Sequence, residues 1–137
     1  MPVKTKTYFL YYLLLFGVLM LGACHPEQSE QLRKAFDLTQ WQADRGGCKG
    51  VRTTMIDQVK AAELLIKGLT QNEVADLMGK PDRQQLAERN QKFYVYFLEN
   101  GEHCQNAKQV TNARSVAFRF SAIGLVTEVT FQNGMPR

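Results

Sequence analysis

The spacing of apolar residues changes character several times along this chain. From Tyr8 to Leu21 the chain is apolar apart from tyrosine hydroxyls and Gly17, a run of 14 residues. That is short of the roughly 20 that span a bilayer as a helix. Residues 25–34 (HPEQSEQLRK) are polar and contain Pro26, the composition of a flexible tether. Phe36 and Trp41 mark where order begins. Ile56, Val59, Ala62, Leu65 and Ile66 then recur at intervals of three and four, which predicts one amphipathic helix. Thr54 and Asp57 stand at capping-box spacing for its start, and Lys67-Gly68 suits its end. A second helix of about nine residues follows. Thr70 is its N-cap, Glu73 completes a capping box, and Leu69 and Val74 form a hydrophobic staple. Val74, Leu77 and Met78 face inward, Gly79 sits at the C-cap, and Pro81 forbids continuation.

Beyond Pro81 the period becomes two. Phe93 to Leu98 is aromatic and β-branched, a strand with both faces apolar. One face meets the helices. The other is either covered by the N-terminal segment or is a partner surface. Tyr94 and Tyr96 are the candidate interaction residues if they form an exposed row, and core residues if covered. Asn100-Gly101 makes a turn, and residues 102–113 form a polar loop carrying Cys104. Val116, Phe118 and Phe120 alternate with Ala117, Arg119 and Ser121. After the Ile123-Gly124 turn, Leu125, Val129 and Phe131 alternate with Val126, Glu128 and Thr130. This is a hairpin with one buried face. The expected class is α+β: two short helices packed on a three-stranded antiparallel sheet, in the order α-α-β-β-β.

The segment Leu21-Gly22-Ala23-Cys24 resembles a lipobox, the cleavage and lipidation signal of bacterial lipoproteins. Lys4 and Lys6 supply a positive n-region before the apolar run. The resemblance implies a signal peptide over 1–23, a lipid on Cys24, a tether over 24–35 and one domain over 36–137. His25, rather than aspartate, follows the cysteine, which by the lipoprotein sorting rule favours the outer membrane. The domain then faces the periplasm or the cell surface. Without Lys4 and Lys6 the 17 basic residues become 15, against 13 acidic. The charges are interspersed, so nucleic acid is excluded as a partner.

With Cys24 assigned to lipid, Cys48 and Cys104 remain. In an exported domain they most simply form one disulfide, closing a loop of 57 residues. The alternative is a metal or redox site of Cys48, His103 and Cys104. Zinc usually takes four ligands, and neither Cys-x-x-Cys nor a second nearby histidine is present. No metal or other cofactor is expected. The glycine-rich stretch Asp44 to Gly50 reads as a turn pinned by Cys48, because its spacing fits neither a P-loop nor a dinucleotide fingerprint.

The run Lys67-Gly68-Leu69-Thr70-Gln71-Asn72-Glu73-Val74-Ala75-Asp76-Leu77-Met78-Gly79-Lys80-Pro81 resembles the SmpA/OmlA (BamE-like) family of small outer-membrane lipoproteins. Gly68, Thr70, Val74, Gly79 and Pro81 match its pattern, with Leu69 and Met78 as apolar variants. The Phe118 to Phe131 hairpin also looks like that family's last two strands. The match covers about half of residues 24–137. It implies the BLIP-like fold, two helices against a three-stranded sheet, and contact with the β-barrel assembly machinery or a role in envelope integrity. The segment Trp41-x-x-Asp44-x-x-Gly47-Cys48 and the Cys48/Cys104 pair lie outside the resemblance.

Three functions follow as expectations. The first is a non-enzymatic outer-membrane scaffold acting through contacts with envelope proteins. The second, by analogy with the fold's secreted inhibitors, is an inhibitor or ligand-binding module. The third, an enzyme, has no support in motifs. His25 lies in the tether, no serine occupies a nucleophile elbow, and no paired carboxylates stand out. Cys104 beside His103 is a nucleophile only if Cys48 is free. No catalytic residue is assigned.

Overall fold

The computed structural model describes residues 26–137. The signal peptide expected over 1–23 and the lipidation expected at Cys24 lie outside the described residues. The expected tether is corrected at once: Pro26–Ala35 is a helix, α1. Pro26 suits a first helical turn, and Glu27 at the start with Arg33 and Lys34 at the end complement the helix dipole. So polar a ten-residue helix is unstable alone. Two contacts hold it to the domain. Leu32 is fully buried, and the Gln28 amide donates to Leu65 O (2.7 Å) and Lys67 O (2.8 Å), carbonyls left over at another helix end. One buried leucine among nine polar or small residues leaves no readable period.

Asp37 caps α2 (Leu38–Ala43) by accepting from Thr39 N and Gln40 N. Trp41 of α2 is buried, and its indole donates to Met78 O at 3.1 Å. The single helix expected from Thr54 to Ile66 is instead three short pieces: α3 (Val51–Thr54), α4 (Ile56–Ala61) and α5 (Glu63–Ile66). The chain tightens at Met55 and Ala62, where Met55 N donates to Arg52 O and Leu65 N to Ala62 O, three residues back. Thr54 is therefore no N-cap. Its hydroxyl donates to Val51 O, and Asp57 is exposed. The apolar stripe survives the breaks, with Met55, Val59, Ala62 and Ile66 buried. Helix α6 (Gln71–Met78) carries the expected capping box in full: Thr70 N donates to Glu73 Oε2 (2.8 Å) and Glu73 N to Thr70 Oγ1 (3.2 Å). Leu69 and Val74 are both buried, and the helix stops at Gly79, with φ +79°.

The sheet has four strands rather than three. β1 (Arg83–Leu86), β2 (Lys92–Phe97), β3 (Arg114–Phe120) and β4 (Val126–Asn133) pair antiparallel in that order. Strand β1 reads Arg-Gln-Gln-Leu, polar but for the exposed Leu86, and is an edge strand that adds no side chain to the core. The helix-side face carries Tyr94, Tyr96, Val116, Phe118, Phe120 and Val129, all buried. Tyr94 stacks edge-on against Phe120 at 4.6 Å, and Tyr96 lies 5.4 Å from Phe118.

Tyr94 and Tyr96 accordingly form no exposed row, which corrects their reading as an interaction surface. The helices cover them, and their hydroxyls are satisfied inside, Tyr96 by Gly79 O (2.8 Å) and Tyr94 by Gln71 Oε1 (3.3 Å). Burial pushes the Tyr96 hydroxyl pKa far up, so it stays a donor.

The opposite face of β2 and β3 is closed as well, though not by the N-terminal segment, which packs on the helix side. Val95, Phe97 and Ala117 are buried there. A one-turn helix, α7 (Glu102–Gln105), stacks His103 on Phe97 at 4.0 Å. Residues 134–137 run back over the same face, with Ser115 Oγ donating to Gly134 O (2.6 Å) and Gln85 Nε2 to Pro136 O (3.2 Å).

Candidate functional site

The densest polar cluster lies where the glycine-rich loop meets the end of β2. Asp44, just after α2, is fully buried and accepts from Lys49 N (2.7 Å) and Arg52 N (2.8 Å), which shapes the loop. The loop presses on the sheet at Gly47. A Cβ there would stand 2.6 Å from Glu99 N and 2.7 Å from Leu98 C, so only glycine fits. Arg52 on α3 is 1% exposed. Its guanidinium donates to Trp41 O (3.1 Å), Phe97 O (3.1 Å) and Asp82 Oδ2 (2.6 Å), and lies 4.6 Å over the Trp41 ring. Asp82, its side chain 6% exposed, also accepts from Gly46 N and Phe97 N, both at 2.9 Å.

Every carboxylate oxygen of Asp44 and Asp82 thus holds a donor from the chain. The cluster joins α2, the loop, α3 and β2, and it positions rather than reacts. Sequence reasoning missed Arg52 and Asp82. Nothing local marks Arg52 as buried, since its partners Asp82 and Phe97 lie 30 and 45 residues away. Asp82 follows Pro81, where a turn residue is the ordinary expectation.

Cys48 and Cys104 are joined by a disulfide, as expected from their number and the inferred compartment. It ties the glycine-rich loop to α7. His103 sits beside it: Nε2 is 3.5 Å from Cys104 Sγ and 2.7 Å from Gly46 O. A carbonyl only accepts, so Nε2 donates to it, and Nδ1 is buried with no hydrogen-bond partner among the described residues. Donor atoms of Cys48, His103 and Cys104 lie within 4.8 Å of one another. Metal binding needs deprotonated thiolates, and two bonded sulfurs are not such donors. In this form Cys104 is no nucleophile either.

Two surface depressions lie elsewhere among the described residues. A groove of about 500 Å³ opens at the β1–β2 hairpin, lined by Leu86, Glu88, Arg89, Phe93, Arg119 and Arg137. Arg119 is oriented by Gln91 Oε1 (2.6 Å) and Glu128 Oε2 (3.4 Å), with its guanidinium 6.0 Å over Phe93. A smaller hollow of about 180 Å³ lies between Lys60, Arg114 and Phe131. Among the described residues no helix is long and apolar enough to cross a membrane. Compared with known proteins, the chain matches no family model, no curated protein and no solved structure.

Proposed function

We propose that this chain is a non-enzymatic, lipid-anchored module of the bacterial outer membrane that works by contact with other envelope proteins. The observation that carries the reading is the Leu21-Gly22-Ala23-Cys24 signal standing immediately before a small folded domain. Its resemblance to SmpA/OmlA lipoproteins over Lys67–Pro81 supports the same address and directs attention to β-barrel assembly or envelope integrity. All matching positions of that run serve capping and core packing here, so they speak to the fold more than to the partner. The test is affinity purification of tagged full-length protein from mildly solubilised membranes, with Cys24→Ser as control. Recovery of barrel-assembly subunits, lost in the control, supports the assembly role. A different stable partner removes that role and leaves the anchored module.

A second reading, an inhibitor or ligand-binding module of the envelope, is favoured by the aromatic and cationic lining of the hairpin groove. If a captured partner stays bound to the Arg119→Glu variant, the groove is not its site.

A further inference from the structure

We infer that the domain rests directly on the bilayer, with Leu64 and Ile123 as apolar contacts to lipid; this deepens the anchored-module reading and rests on it. The order of α1 carries the first step. One residue, His25, separates Cys24 from Pro26, where α1 begins, a span of two Cα-to-Cα steps. At no more than about 3.6 Å each they reach roughly 7 Å. A lipid on Cys24 therefore brings the start of α1 to the membrane surface, with no slack for the domain to stand away.

The hydrogen bonds fix which end of the domain comes with it. Gln28, in the first turn of α1, is bonded to Leu65 O and Lys67 O. Next to these, Gly68 N donates to Val126 O, Val126 N to Leu69 O, and Gln71 N to Gly124 O. The start of α1, the end of α5 and the β3–β4 turn are thus one continuous end of the molecule. Of the four large apolar residues that are exposed among the described residues, Leu64 (80%) and Ile123 (81%) lie there, and Leu86 (77%) lies at the same end of the sheet on its edge strand β1, away from α1. Apolar side chains beside a lipid anchor enter the boundary between headgroups and acyl chains. Lys67 at this end is paired with Glu63 at 2.6 Å, and Glu27 stands nearby in sequence to the anchor. Lys92 stands at the same end, its Nζ donating to Gln71 Oε1 at 3.1 Å, and Leu64 and Ile123 supply the apolar part of this end. Val110, 90% exposed, precedes β3 at the far end of the sheet from Ile123. The seven residues of β3 place it about 20 Å away.

The test uses the lipidated full chain in phosphatidylcholine vesicles, with and without bromine on the acyl chains. Tryptophan is introduced singly as Leu64→Trp, Ile123→Trp or Val110→Trp; native Trp41 is buried and gives a constant background. The expected result is loss of emission in brominated vesicles for the Leu64→Trp and Ile123→Trp variants, and none for Val110→Trp. Protein that floats with the vesicles but shows equal emission in both at positions 64 and 123 overturns the inference while leaving the anchor intact. Protein that fails to float overturns the anchor itself. Hydrogen exchange on the unsubstituted chain decides the matter if a variant misfolds: vesicles slow exchange over 62–68 and 121–126 if the inference holds, and leave both unchanged if it fails.

Discussion

Removing the carboxylate of Asp82 strands the Arg52 charge inside the protein. With Arg52 1% exposed and its Nη1 at 2.6 Å from Asp82 Oδ2, the Asp82→Ala variant leaves a guanidinium with two carbonyls and two rings but no counter-charge. Breaking a buried pair by deleting one partner costs about 3–5 kcal/mol. The same substitution orphans Gly46 N and Phe97 N, each worth about 1–3 kcal/mol if unsatisfied. These losses share one network and do not add. The expected destabilisation is about 4–6 kcal/mol, a large share of the roughly 5–15 kcal/mol that holds a domain together. Urea unfolding with the disulfide intact measures it. Arg52→Met in the Asp82→Ala background should recover part of the loss, because the uncompensated charge is gone while the two amides stay unpaired. A cost below about 1 kcal/mol for Asp82→Ala, the range of an exposed ion pair, refutes the assignment of this cluster as the joint between loop and sheet.

Gly47→Ala forces a Cβ to 2.6 Å from Glu99 N at φ +66°, and destabilises by about 3 kcal/mol or more from strain and overpacking together. Gly50→Ala meets nothing within 4 Å at φ +77° and costs only the conformational penalty of about 1–2 kcal/mol; equal losses in thermal melts contradict the close approach at Gly47. Replacing Cys48 and Cys104 together by serine releases the loop they close and costs about 4 kcal/mol by chain entropy, read as a lower urea midpoint. Hydrogen bonds from Arg114 hold the Glu99 carboxyl below its ordinary value of 4.5, and its own backbone with Thr111 does the same for Glu102. Both contribute stability that is present above that value and lost as pH falls through the depressed folded pKa. Glu99→Gln therefore flattens the acid limb of the stability–pH profile below pH 4.5, and an unchanged limb rules out the Glu99–Arg114 contact as a contributor.

How far the fold could be read depended on how local each cause is. The α6 helix was legible in full because its start and staple (Leu69 to Val74) and its stop (Gly79 to Pro81) are each set by residues close to one another in sequence. The β3–β4 hairpin and its Gly124 turn were legible from alternation, but the register shift at Arg119/Phe120 buries Val126 where alternation placed Leu125, and Ala117 is buried on the face expected to be open. What escaped depends on contacts distant in sequence. Helix α1 is helical because Leu32 and Gln28 dock on α5 and the core, and its own composition resembles a tether. Strand β1 pairs with β2 through backbone bonds while none of its side chains, Leu86 included, is buried. The continuous apolar stripe from Ile56 to Ile66 concealed that the helix expected from Thr54 breaks at Met55 and Ala62, since a tightened turn preserves the buried face. Tyr94 and Tyr96 look like surface residues only until the helices are placed over them. Within the polar cluster, counting cysteines pointed to the disulfide, whereas Arg52 and Asp82 meet across 30 residues with no motif to announce it.

The anchor is the premise on which address, partner and membrane-facing end all depend. Mass spectrometry of the protein purified from bacterial membranes tests it directly. The account predicts that the chain begins at Cys24 and carries the mass of a diacylglyceryl-modified, acylated cysteine, and that Cys24→Ser abolishes both the cleavage and the lipid. A membrane protein that retains residues 1–23, or a mature chain that begins elsewhere without lipid, contradicts it.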